Sequence, residues 1–148
     1  MSEPIARLRA VSKSYGQGAT LVRALSDIDL EVRAGEVVLI EGPSGSGKTT
    51  LLHLLGLLQR PDRGEVWIGD RRLDSIRESR MPDERRQHVA FIFQGYNLLE
   101  SLNVGDNVAV AELLRSRSDS RAPVADAMTR LGLRKRAAHL PEQLSGGE

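Results

Sequence analysis

The chain has 148 residues, of which 40% are hydrophobic and 28% charged, an ordinary soluble globular composition. Twenty-one basic against twenty acidic side chains leave a net charge of +1, so nothing calls for a nucleic-acid or anionic-membrane partner. Cysteine is absent, which excludes disulfide frameworks, thiolate zinc sites and a cysteine nucleophile. The apolar runs are far shorter than a membrane span. The start, Met1-Ser2-Glu3-Pro4, has neither a basic n-region nor an apolar h-region, so a cytosolic chain is expected.

Ile5 to Val11 partly alternates, with Ala6, Leu8 and Ala10 against Arg7 and Arg9, and reads as a half-buried strand. Asp27 to Arg33 alternates more strictly, with Ile28, Leu30 and Val32 on one face, before the Ala34-Gly35 turn. Val37-Val38-Leu39-Ile40 is apolar throughout, the pattern of a central, parallel strand covered on both faces. Lys48 to Gln59 is leucine-rich and proline-free, predicting a buried helix ended by Pro61 and Gly64. Glu65 to Gly69 reads as a short strand with a turn at Gly69-Asp70. Residues 70–87 mix both charge signs and read as a solvated segment. Val89 to Phe93 predicts another apolar strand.

Beyond Gln94 the pattern turns helical. Asn103 caps a helix from Val104 to about Arg115, with Asp106 near its positive end. Ser116 to Ser120 reads as a polar loop. Pro123 suits a first helical position, Val124, Ala127, Met128 and Leu131 repeat at helical spacing, and Gly132 is a stop. These elements predict an α/β core over residues 1–94 and a helical subdomain over residues 95–148.

Gly42-Pro43-Ser44-Gly45-Ser46-Gly47-Lys48-Thr49, followed by Thr50, fits G-x-x-x-x-G-K-[ST] at every fixed position. Polyphosphate requires many donors on a concave surface. Glycines let consecutive N–H groups turn inward, and a helix beginning near Gly47 adds its positive end. Lys48 supplies a mobile cation for the β- and γ-phosphates, and Thr49 offers a hydroxyl to Mg²⁺. The bland alternative is a glycine-rich turn with an incidental lysine. Its position, after an apolar run and opening a helix, counts against that. The loop alone does not choose among kinases, GTPases and transport ATPases.

Leu144-Ser145-Gly146-Gly147-Glu148 places a serine cap and two glycines where a helix end opens its amides to an anion. By itself it reads equally well as a cap and a turn. Gln94, at the end of the 89–93 run, reads by itself as a surface amide. Taken in order, Tyr15 in Val11-Ser12-Lys13-Ser14-Tyr15-Gly16, the phosphate loop, Phe93-Gln94 and Leu144-Ser145-Gly146-Gly147 resemble the ATP-binding-cassette (ABC) family over nearly the whole chain. Leu51 to Gly56, Arg60 to Val66 and Phe93 to Leu99 look like the branch of macrolide-export and lipoprotein-release ATPases, which also resembles a cell-division ATPase.

The resemblance implies a P-loop ABC ATPase core with an antiparallel β subdomain and a helical insertion, binding ATP and Mg²⁺. It implies that Tyr15 stacks on adenine, and that Gln94 reaches Mg²⁺ and the attacking water. It also implies that Leu144, Ser145, Gly146, Gly147 and Glu148 contact ATP held by the opposite subunit of a dimer. Glu148 stands where glutamine is usual, and a carboxylate there would repel the γ-phosphate. Leu57 and Leu58 stand where a glycine-containing turn is more usual. A membrane permease is the implied partner, docking near Tyr96 to Leu102, at the cytoplasmic face of the membrane.

The family continues past the signature into a helix, a strand ending Asp-Glu, and a switch histidine. None of these is in this sequence, and His53, His88 and His139 stand at positions that cannot replace the switch. The expectation is therefore an incomplete ABC ATPase, from a truncated frame or an incomplete sequence, that does not hydrolyse ATP alone. A non-catalytic nucleotide-binding module and a soluble ABC ATPase of DNA repair or translation with no membrane partner remain the alternatives, and the cargo stays open among lipoproteins, small toxic molecules and a cell-division role.

Overall fold

A computed structural model describes residues 3–116 and 122–147. Met1, Ser2, most of the expected 116–120 loop and Glu148 lie outside the described residues. The chain divides into two compact units, residues 1–91 and 92–148.

The first unit is built on a four-stranded antiparallel sheet in the order β2-β1-β3-β4. The strands are β1 (Pro4–Tyr15), β2 (Val22–Arg33), β3 (Arg63–Ile68) and β4 (Arg71–Arg72). Two helices complete it, α1 (Lys48–Leu55) and α2 (Met81–His88). The core is formed where Leu8 and Val11 of β1, Leu25 of β2 and Val66 of β3 meet Leu54 of α1, with Leu57, Leu73 and Met81 beside them. Both long strands run well beyond the alternating stretches that announce them. The pairing is irregular both within and beyond those stretches, with register shifts along β1. At the irregularities side chains replace ladder bonds: the Ala10 amide donates to Asp29 Oδ1 (2.9 Å) and the Asp27 amide to Ser12 Oγ (3.0 Å). Ala10 and Asp27 both adopt positive φ there, at 47° and 55°.

Two strand expectations fail. Val37–Ile40 forms no strand, and Val37 is 95% exposed and Leu39 78%. Val89–Phe93 forms none either, and Ile92 is 97% exposed. A strand exists through the ladder bonds of its neighbours, and a strand apolar on both faces requires neighbours on both edges. No described strand pairs with either run. The helix expected over 48–59 stops at Leu55, because Gly56 and the positive φ of Leu57 (54°) turn the chain. The charged stretch 70–87 is more ordered than expected, holding β4 and most of α2.

The second unit contains α3 (Val104–Ser116) and α4 (Ala122–Arg130), which pack together with Val104 and Met128 buried. Asn103 caps α3 as expected, its Oδ1 accepting from the Asp106 amide at 2.8 Å. Helix α4 begins one residue before Pro123. The chain then runs through short 3₁₀ turns at Arg134–Arg136 and Pro141–Gln143 to a turn at Gly146 and Gly147. Only Gly146 and Gly147 follow Ser145 among the described residues. Among the described residues no helix is long and apolar enough to cross a membrane.

Candidate nucleotide site

The phosphate loop leads directly into α1. Gly42, Gly45 and Gly47 all take positive φ, at 151°, 80° and 88°, so the loop curls in a way L side chains rarely allow. The Ser46 amide donates back to the Pro43 carbonyl at 3.3 Å, and the Leu51 amide to the Gly47 carbonyl at 2.9 Å opens the helix. A Cβ at Gly42 would come within 2.8 Å of Ser46 Oγ. At Gly47 it would come within 2.3 Å of the Ala24 carbonyl of β2, so the loop rests on the sheet where only glycine fits.

Lys48 folds back over this loop. Its ammonium donates to the carbonyls of Gly42 (2.8 Å) and Pro43 (2.6 Å) and lies 3.4 Å from Ser46 Oγ. All three partners are neutral oxygens, and among the described residues no carboxylate pairs with the ammonium, so positive charge stands beside a helix N-terminus, which suits a polyanion. Thr49 lies exposed on the first turn of α1, a hard oxygen ligand of the kind Mg²⁺ takes. Among the described residues no group of three or more His, Cys, Asp and Glu side chains could hold a metal. Any Mg²⁺ here would take further oxygens from the phosphates and water.

Thr50, facing inward, is buried. Its Oγ1 lies 3.4 Å from the Tyr15 hydroxyl, which also donates to Gln59 Oε1 at 2.5 Å. These contacts tie the end of β1 to α1 and to the chain after it. Tyr15 remains 40% exposed, with the Lys13 ammonium 5.8 Å from its ring centroid. Lys13 is anchored in turn by Asp62, 2.9 Å away, and the Ser14 amide donates to the same carboxylate at 2.7 Å. The Lys13 side chain first, then the Ser14 amide, hold the Asp62 carboxyl below the usual aspartate range. The structure thus brings Tyr15, Thr50 and the phosphate loop into one unit. Gln59, Lys13 and Asp62, which support Tyr15, went unmarked in the sequence because single polar residues far apart in the chain carry no pattern.

The remaining expected site residues belong to the second unit. Gln94 follows the exposed Ile92 and half-exposed Phe93. A groove of about 560 Å³ is lined by Tyr96, Asn97, Leu98, Glu100, Pro141, Leu144, Ser145 and Gly146. It gathers the apolar stretch after Gln94 and the signature residues onto one surface, with Tyr96, Leu98 and Leu99 well exposed. The Tyr96 hydroxyl donates to the Gly146 carbonyl at 3.2 Å. A separate groove of about 690 Å³ in the first unit, lined by residues including Ser12, Arg23, Asp27 and Arg63, includes no phosphate-loop residue. Loop chemistry, rather than cavity size, marks the site.

A curled glycine loop that opens a helix, with a lysine folded over it, defines a P-loop nucleotide-binding domain. Residues 25–148 match the ABC transporter family model, and the chain belongs to that family. It is similar to the macrolide export ATP-binding/permease protein MacB of Agrobacterium fabrum, at 43% identity over 100% of this chain and 23% of that protein. It is also 43% identical to the lipoprotein-releasing system ATP-binding protein LolD of Psychrobacter arcticus, over 93% of this chain and 62% of that protein. The dimeric ATP-binding cassette MJ0796, solved in a post-hydrolysis state bound to ADP and Pi, superposes with a TM-score of 0.86 at 33% identity. That match covers 95% of this chain and 63% of the cassette. The chain therefore spans under two thirds of these relatives, and about a quarter of MacB. The expected fold class, a P-loop ABC ATPase core with an antiparallel β subdomain and helical insertion, is the one found.

Proposed function

We propose that this chain is the nucleotide-binding part of an ABC transporter ATPase of the MacB and LolD kind, binding Mg·ATP and coupling its hydrolysis to a membrane permease. The observation that carries this reading is the phosphate loop itself. Its glycines occupy positive φ, its lysine is held by neutral oxygens, and it opens a helix. In this reading the amides from Gly42 to Thr50 cradle the phosphates. Lys48 leaves the loop carbonyls for the β- and γ-phosphates, Thr49 and Gln94 ligate Mg²⁺, and Tyr15 stacks on adenine. Gln94 also orients the attacking water.

Two copies would pair so that Leu144 to Gly147 of one, with Glu148, meet the ATP of the other. The dimeric MJ0796 cassette, at 33% identity, supports that pairing. The exposed apolar stretch from Tyr96 to Leu102 is the surface offered to the permease, which would place the chain peripherally on the cytoplasmic side of the membrane. The relatives' names favour export or lipoprotein release over a cell-division role.

Lys48→Ala removes charge-assisted hydrogen bonds worth roughly 1.5–3 kcal/mol. We expect it to weaken binding of a fluorescent ATP analogue about tenfold to a hundredfold, with the circular dichroism spectrum unchanged. Undiminished affinity would sink the assignment.

A further inference from the structure

We propose that Tyr96 is the positioning residue of the signature turn, fixing through its hydroxyl the direction in which Gly147 presents its amide. The inference rests on the reading above, in which the turn meets the nucleotide of a second copy. Its observations lie within the second unit. Tyr96 is 73% exposed, so burial does not account for where its ring lies, yet its hydroxyl reaches the Gly146 carbonyl fifty residues away at 3.2 Å. A Cβ at Gly146 would stand 3.1 Å from that hydroxyl, closer than such contacts ordinarily are.

Both sides of this bond are anchored to the same end of α3. On one side the Asn107 side chain holds the stretch after Tyr96. Its Oδ1 accepts from the Leu99 amide at 2.8 Å, and its Nδ2 donates to the carbonyls of Leu99, Leu102 and Asn103 at 3.1, 2.9 and 3.1 Å. On the other side the first amides of α3 hold the stretch before the signature. The Val104 amide donates to the His139 carbonyl and the Gly105 amide to the Ala137 carbonyl, both at 2.9 Å. The tyrosine hydroxyl closes the ring at its far side.

That closure matters because the turn is two glycines, the most permissive backbone there is. The peptide between Gly146 and Gly147 is planar and trans, so its carbonyl and its N–H point in opposite directions. A carbonyl drawn toward Tyr96 turns the Gly147 amide away from it, as a donor for an anion arriving from outside. A phenylalanine at this position would fill the same space and leave the peptide plane free to rotate.

Tyr96→Phe in the full-length protein tests this. The measurements are ATP affinity of the monomer, ATP-driven dimerisation by sedimentation, and melting temperature. A neutral hydrogen bond corresponds to about two- to tenfold per site, and the effect is multiplied across the two sites of a symmetric dimer. The expected result is weaker dimerisation by that factor, with monomer affinity and melting temperature unchanged. Undiminished dimerisation, or a loss matched by falling monomer affinity or melting temperature, would overturn the proposal. Ser145→Ala in parallel separates the two readings. Dimerisation lost there but kept in Tyr96→Phe overturns the tyrosine's role alone. Dimerisation kept in both overturns the turn as a nucleotide contact.

Discussion

Gly47 shows what a single position contributes to this site. Its φ of 88° is costly for any L side chain, and the Ala24 carbonyl stands 2.3 Å from where a Cβ would be, with Leu25 Cδ2 at 3.0 Å. The obstructing atom is backbone of a paired strand, which cannot swing aside. Gly45 is the natural control, with φ of 80° but nothing within 4 Å of its added Cβ. Gly45→Ala meets only the left-handed backbone cost, about 1–2 kcal/mol. Gly47→Ala adds displacement of the loop from the sheet, and we expect roughly 1–3 kcal/mol more, within the range of overpacking. Urea unfolding of both variants, with an ATP titration of each, checks this. Gly47→Ala should lose measurable nucleotide binding, while Gly45→Ala keeps a folded loop of reduced affinity. Equal losses of stability would show that the contact with β2 does not set the loop.

At the scale of elements, what could be read in the sequence followed from local chemistry. The phosphate loop was legible because eight consecutive residues encode its conformation, and the start of α3 because a cap and its amide are three residues apart. The cores of β1 and β2 were legible from alternation. The runs at 37–40 and 89–93 were not, since apolar side chains state a preference for burial and not which strand will pair with them. Asn107 was silent for the same reason. In sequence it is one polar residue in the first turn of a helix, and only the fold brings Leu99, Leu102 and Asn103 within its reach. Asn107→Ala removes four hydrogen bonds at once and strands a loop amide. We expect a loss of about 1–3 kcal/mol, the cost of leaving such groups unsatisfied. Hydrogen exchange should locate it, with the Leu99 and Leu102 amides losing protection and those of β1 keeping theirs. A uniform loss across the chain would mean that Asn107 supports global stability rather than this loop.

For the molecule as a whole, the surface is the informative feature. Val37 and Leu39, 95% and 78% exposed, stand in one short run of the first unit, and Ile92 is 97% exposed in the second. Isolated exposed apolar residues are ordinary, but successive β-branched and aliphatic side chains on unpaired backbone are not. Such a run offers free amides and carbonyls together with apolar side chains, the combination that templates association. The 148-residue chain in isolation should therefore bind the dye ANS strongly and self-associate at micromolar concentration. Replacing Val37 and Leu39 together by threonine keeps β-branching at 37, introduces it at 39 and removes most of the apolar character. That variant should bind at least half as much dye less and sediment as a smaller species, with its helical circular dichroism preserved. A variant that stains and associates as strongly as the parent would place the sticky surface elsewhere, and would mean that the 37–40 run is covered in solution. The distinction bears on function, because the run leads directly into Gly42.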